Sequence, residues 1–166
     1  LAISFAEKGF KVIGIDIDTK KVQKINIGES YINHISSLKI SSLVKKQKLI
    51  ATNKFENCNN VDAIIMCVPT PLNKYREPNL DFIKGTLASL IEYLKEGQIL
   101  SLESTTYPGT TKEEILPKLI NKGLNVGKDF FLVYSPERED PGNKKFTTAN
   151  IPKIIGGSTN NCKNVG

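Results

Sequence analysis

Val61 to Pro71, V-D-A-I-I-M-C-V-P-T-P, is the stretch whose reading decides the fold. A continuous apolar run rich in Ile and Val, ended by turn residues, is the pattern of a strand buried on both faces, as in a parallel sheet covered by helices. Pro69 and Pro71 cannot donate to a ladder and bias their neighbours away from helix. The chain therefore turns at Thr70, leaving its hydroxyl and the nearby amides at the strand's carboxyl end. In open α/β sheets that edge is where ligands bind. A stiff turn with no ligand is the plainer reading of the same three residues.

Upstream, Leu1 to Phe10 has the apolar spacing of a helix, with Gly9 placed to end it and nothing ahead of it as an N-cap. Lys11 to Asp16, K-V-I-G-I-D, is a β-branched strand closing on a carboxylate, followed by a lysine-rich helix from about Thr19 to Asn26. Gly28 to Ser37 is rich in turn residues and holds the single histidine, His34, which has no Cys, Asp or second His at ligand spacing and is left unassigned. A helix around Leu38 to Lys46 and a strand at Leu49 to Thr52 complete this half.

Downstream, Leu80, Ile83, Leu87, Leu90, Ile91 and Leu94 recur at helical spacing, with Asn79 as N-cap and Gly97 as the stop. Gln98 to Glu103 reads as a strand that runs into the hydroxyl cluster Ser104-Thr105-Thr106. Thr110 with Glu113, or Thr111 with Glu114, makes a capping box for a helix that contains Pro117. Phe130 to Tyr134 is a further strand, emptying into Ser135-Pro136-Glu137-Arg138-Glu139-Asp140-Pro141. Lys144 to Asn150 is polar, and Pro152 to Gly157 reads as one more short strand. Strand alternating with helix five or six times predicts an α/β fold, a doubly wound parallel sheet whose right-handed crossovers bring the strands' carboxyl ends to one edge.

The 166 residues suit one domain. No apolar run approaches the roughly 18 residues of a membrane span, and no basic-then-apolar leader stands out, so the expectation is a cytoplasmic protein without a membrane partner. Cys58, Cys67 and Cys162 are widely spaced, which suggests neither a disulfide framework nor a metal site, and Cys67 is expected in the core. The net charge of +6 is carried almost wholly by scattered lysines, Arg76 and Arg138 being the two arginines. Without a basic stripe interleaved with aromatics, no nucleic-acid partner is expected.

The predicted sheet edge collects Asp16, Thr70, Ser104, Thr105 and Glu137. A carboxylate closing the second strand of a dinucleotide fold accepts hydrogen bonds from the adenosine ribose and repels the 2′-phosphate of NADP, so Asp16 points to NAD. A helix-capping Asp is the alternative, a role Asp18 could fill. The motif G-x-G-x-x-G that would decide between them is not in this sequence.

The succession V-I-G-I-D-I-D-T-K-K-V, C-V-P-T-P-L, E-S-T-T-Y-P-G-T-T and S-P-E-R-E-D-P-G-N resembles the amino-terminal NAD-binding domain of the UDP-glucose/GDP-mannose dehydrogenase family, the nucleotide-sugar 6-dehydrogenases. The resemblance implies a Rossmann-type fold whose first strand and Gly-rich turn lie outside these residues, with central and carboxyl-terminal sugar domains to follow. A missing first strand would fall in mid-sheet and split the core. By the same resemblance Asp16 and Lys21 would hold the adenosine ribose, Val68 and Thr70 would line the cofactor cleft, and Ser104 and Thr105 would sit beside the nicotinamide and a reactive-site water. Glu137 would be the acid/base residue, and Glu137, Arg138, Glu139, Asp140 and Pro141 would touch a UDP-sugar.

In such enzymes the C6 alcohol is oxidised twice by NAD, through a cysteine-bound thiohemiacetal and then a thioester that water cleaves. The nucleophilic cysteine belongs to the central domain, and none of Cys58, Cys67 or Cys162 matches it. The P-E-R-E-D-P-G-N loop is similar to that of UDP-N-acetylglucosamine 6-dehydrogenases, with UDP-N-acetylmannosamine and UDP-glucose enzymes as alternatives, in a pathway to surface polysaccharide. It departs from the P-E-F-L-x-E-G pattern of UDP-glucose enzymes, which leaves open whether Glu139 or Asp140 replaces their second glutamate. A homo-oligomer formed through the central domain is also implied. Two readings from other classes are a non-catalytic nucleotide-sugar binder and a receiver-like signalling domain, the latter disfavoured by Val68 to Thr70 and Ser104 to Thr105 where phospho-accepting Asp and late Lys would stand.

Overall fold

The computed structural model of the chain describes residues 1–137 and 151–166. The expected contacts at Arg138, Glu139, Asp140 and Pro141, and the polar stretch to Asn150, lie outside the described residues. Two compact units form, Leu1–Phe55 and Glu56–Gly166.

In the first unit α1 (Ala2–Glu7) precedes β1 (Val12–Ile15), and Gly9 makes the intervening turn at φ +97°, a left-handed conformation that suits glycine. The helix α2 (Thr19–Asn26) starts where Asp18 accepts from Lys20 N at 2.9 Å, so the cap falls to Asp18 and not to Asp16. Ser36 caps α3 (Ser37–Lys45) in the same way, accepting from Leu38 N. β1 pairs in parallel with β2 (Leu49–Thr52), in register Val12↔Leu49 to Ile15↔Thr52. Ala6, Ile40, Leu43 and Leu49 are the buried core, with Ile3, Val12, Ile25, Ile35 and Val44 packed against them. The Asn26 side chain meets Ala51 as a peptide group would, donating to its carbonyl at 2.9 Å and accepting from its amide at 2.8 Å, which closes part of the outer edge of β2.

In the second unit β3 (Ala63–Met66), β4 (Ile99–Leu102) and β5 (Phe131–Tyr134) are parallel neighbours, and β6 (Gly156–Gly157) adds antiparallel to β5. The expectation of an all-parallel sheet is corrected at β6: Tyr134↔Gly156 and Val133↔Gly157 pair in the reverse sense. The expected strand Pro152 to Gly157 is reduced to those two glycines. After it comes α6 (Asn160–Val165), whose fully buried Cys162 sulfur accepts from Leu132 N. Among the described residues no ladder joins β1 or β2 to β3, β4, β5 or β6.

β4 is the most enclosed strand, with Leu100 and Leu102 at 0 % exposure. β3 is not buried on both faces as its composition suggests. It lies at the edge of its sheet, where Ile64 and Met66 are covered while Ala63 is exposed and Ile65 half-buried. The helix α4 (Asp81–Leu90) and the 3₁₀ turn Ile91–Tyr93 bury Ile83, Leu87 and Leu90, with Leu80 and Leu94 buried at either end. Asn79 accepts from Asp81 N at 2.8 Å, and Gly97 reverses the chain into β4 at φ +83°. The expected capping box is absent. Thr110 Oγ1 is occupied by Tyr107 O at 2.9 Å and Thr106 Oγ1 at 2.6 Å, and Glu114 pairs with Lys84. A π-helical turn, Thr111–Ile115, takes the chain into α5 (Leu116–Asn121), so Pro117 falls where the wider turn gives way to the regular helix.

Gln98 locks the entry of β3 to that of β4. Its side chain, 1 % exposed, donates to Cys58 O and Val61 O, both at 2.7 Å, and accepts from Lys95 N at 3.0 Å. Replacement by Met keeps the volume and strands three backbone groups, at about 1 to 3 kcal/mol for the buried ones. In the full-length protein Gln98→Met is expected to speed exchange of the Ile99 amide roughly 5- to 150-fold, and an unchanged rate would contradict this role.

Candidate functional site

The register Met66↔Leu102↔Tyr134 ends three parallel strands on one line. Backbone bonds carry the alignment further: Glu103 N donates to Met66 O at 2.9 Å, Ser135 N to Leu102 O at 3.0 Å and Glu137 N to Glu103 O at 3.3 Å. The segments leaving these strands enclose an open cleft of about 290 Å³, lined by Cys67 to Thr70 from β3, Glu103 to Thr105 from β4 and Glu137 from β5.

Each side chain is held differently. Ser104 is buried and donates to Val68 O at 2.8 Å, which ties the β4 exit to the Pro-Thr-Pro turn. Thr105 is exposed in the cleft, and Thr70 is half-buried. Glu103 is buried beside Lys153, whose Nζ is 2.5 Å from Glu103 Oε2 and 3.9 Å from Glu137 Oε2. Five of the predicted residues, Val68, Thr70, Ser104, Thr105 and Glu137, are thus brought together.

Cys67 corrects an expectation, since it is exposed and lines the cleft instead of filling the core. It follows the last ladder residue of β3, where the chain leaves the sheet. Desolvation pushes its thiol above the ordinary range, and the Glu103 carboxylate adds to the shift. The thiol is therefore held protonated, which suits a lining group better than a nucleophile.

The other predicted pair lies in the first unit. Asp16 follows β1, with its N–H on Thr52 O, and its Oδ1 accepts from Asp18 N at 2.8 Å. Its Oδ2 is 3.4 Å from Lys21 Nζ, which also lies 5.7 Å from the centre of the Tyr31 ring. Asp16 keeps 36 % of its side chain accessible, leaving acceptor capacity for a further donor. Two vicinal hydroxyls fit such a carboxylate, and the neighbouring ammonium offers them a donor.

The sequence of the whole chain, residues 1–166, matches the UDP-glucose/GDP-mannose dehydrogenase family, NAD binding domain. The chain belongs to that family. As its NAD-binding domain it is 35 % identical over 160 residues to the protein CapL of Staphylococcus aureus and 33 % identical to the UDP-N-acetyl-D-glucosamine 6-dehydrogenase of Pseudomonas aeruginosa, in each case across 96 % of this chain and 37 % of the relative. A structure of the UDP-N-acetyl-mannosamine dehydrogenase Cap5O from S. aureus superposes with a TM-score of 0.89 at 31 % identity, over 99 % of this chain and 39 % of that one. The chain thus spans less than two-fifths of the length of these relatives. The α/β fold is the Rossmann-like one of Cap5O.

Glu103 and Lys153 were missed by the sequence reading. Glu103 read as the last residue of a strand, and Lys153 as one lysine among many in P-K-I-I-G-G. A buried acid at a strand end does signal that a cation must meet it, but not which lysine, fifty positions on.

Because Cys58 and Cys162 are buried, alkylation of the native chain reports on Cys67. Peptide-resolved labelling with iodoacetamide should rise with a midpoint pH above that of a free cysteine, and Glu103→Gln should lower the midpoint by removing a nearby negative charge. A midpoint at or below that of free cysteine would contradict this environment.

Proposed function

We propose that this chain is the cofactor-binding part of a longer nucleotide-sugar 6-dehydrogenase, which oxidises the C6 alcohol of a UDP-N-acetylhexosamine to the uronic acid. The observation that carries the reading is the single cleft that gathers Ser104, Thr105 and Glu137 at the level ends of parallel strands. UDP-N-acetylglucosamine is the preferred substrate, supported by the Pseudomonas relative and by the P-E-R-E-D-P-G-N loop. UDP-N-acetylmannosamine is the second reading, supported by the likeness to Cap5O.

The cofactor supplies a hydride acceptor. Asp16 accepts from the ribose hydroxyls with Lys21 beside them, and its charge disfavours a 2′-phosphate. Val68 and Thr70 form the wall of the cofactor cleft, and Ser104 holds that wall through its bond to Val68 O. Thr105 presents its hydroxyl to the reacting centre. In the hydrolytic step Glu137 takes a proton from water as the oxygen adds to the thioester carbonyl and the thiolate of the central domain leaves. Arg138 to Pro141 follow directly in sequence and are assigned to the UDP-sugar.

Two outcomes test these roles in the full-length protein. Asp16→Ala should weaken NAD binding by about 1.5 to 3 kcal/mol and reduce discrimination against NADP, measured by titration calorimetry with both cofactors; undiminished NAD affinity would refute the assignment. Glu137→Gln should slow thioester hydrolysis about 10²- to 10⁴-fold while sparing the first hydride transfer. Single-turnover kinetics in which both steps fall together would remove Glu137 from the hydrolytic role.

A further inference from the structure

The chemistry assigned to Glu137 leaves Lys153 without a function. Its ammonium contacts Glu103 at 2.5 Å and stands 3.9 Å from Glu137. Glu103 is 8 % exposed, and a carboxylate buried at the end of the most enclosed strand requires a partner. Lys153 is therefore held firmly by one glutamate and reaches toward the other. Three residues after Lys153 the chain enters the short β6, which pairs with the end of β5, the strand that Glu137 follows. Glu137 N also donates to Glu103 O, so a backbone bond and an ionic contact both tie Glu137 to the exit of β4.

We propose that Lys153, anchored by Glu103, is a positioning residue that holds the Glu137 carboxylate in the cleft beside Thr105. The inference rests on the reading of Glu137 as the hydrolytic base. Only about a fifth of the Lys153 side chain is exposed, so solvent screens this pair less than a surface ion pair. Charge attraction at 3.9 Å is too long for a direct hydrogen bond but restricts where the carboxylate rests. Cys67 is a further titratable group beside this charge set, and as a neutral thiol it does not compete for the ammonium.

The test uses the full-length protein in single-turnover assays that resolve first hydride transfer from thioester hydrolysis, with Glu137→Gln as reference. Lys153→Met should slow hydrolysis roughly 10- to 100-fold while NAD affinity and first hydride transfer stay within about twofold, and Lys153→Arg should restore most of the rate. Because Lys153→Met leaves Glu103 buried and unpaired, the double variant Lys153→Met/Glu103→Gln balances the charge and should show the same selective loss in a stably folded protein. Hydrolysis at the wild-type rate in the double variant, or an equal fall in both steps, overturns the positioning role. If Glu137→Gln itself hydrolyses normally, the base assignment fails first and this inference with it.

Discussion

Met66, Leu102 and Tyr134 are register partners across three parallel strands, and everything in the cleft follows from their alignment. Had β3 slipped by one residue against β4, its buried Ile64 and Met66 would change faces with Ala63 and Ile65, and the Pro-Thr-Pro turn would leave the sheet at a different height. Gln98 fixes the start of that register, and Ser104 fixes its end by holding Val68 O. Between these two polar locks lie Leu100 and Leu102, whose complete burial contributes roughly 1.5 to 3 kcal/mol each. Apolar burial stabilises the strand, while the hydrogen bonds of Gln98 and Ser104 decide which residues face each other.

The cleft places two carboxylates near one ammonium. Glu103 takes the short contact and the deeper position, and Glu137 keeps the longer contact and the exposed one. This division leaves Glu103 as the buried anchor of the ammonium and Glu137 as the more accessible of the two carboxylates. Replacing the ion pair by apolar side chains could preserve stability, since buried pairs often break even against hydrophobic packing. Their chemistry, and not their contribution to folding, is the better reason for charged groups at this place.

Local chemistry made much of the fold legible before any coordinates. The strand Leu49–Thr52 and the helix Thr19–Asn26 have the predicted bounds because β-branched alternation and an Asx cap are written in adjacent residues. Family motifs drew Val68, Thr70, Ser104, Thr105 and Glu137 into one group. What stayed hidden depends on pairings distant in sequence. Asn26 meets Ala51 twenty-five positions away, and Lys153 meets Glu103 across fifty. β6 consists of two glycines with no side-chain pattern, and α6 has Cys162 as its one buried residue. Thr110 looked like half of a capping box, yet a nearer carbonyl and a second threonine claim its hydroxyl.

The central proposal is that the level strand ends receive the nicotinamide and that Asp16 receives the adenosine ribose. A crystal structure of the full-length protein with NAD and UDP-N-acetylglucosamine tests it most directly. The expected result has the adenosine ribose hydroxyls on Asp16 and the nicotinamide ring against Ser104 and Thr105, with the sugar C6 beside Glu137. A nicotinamide bound away from the cleft, or a ribose with no contact to Asp16, would contradict it.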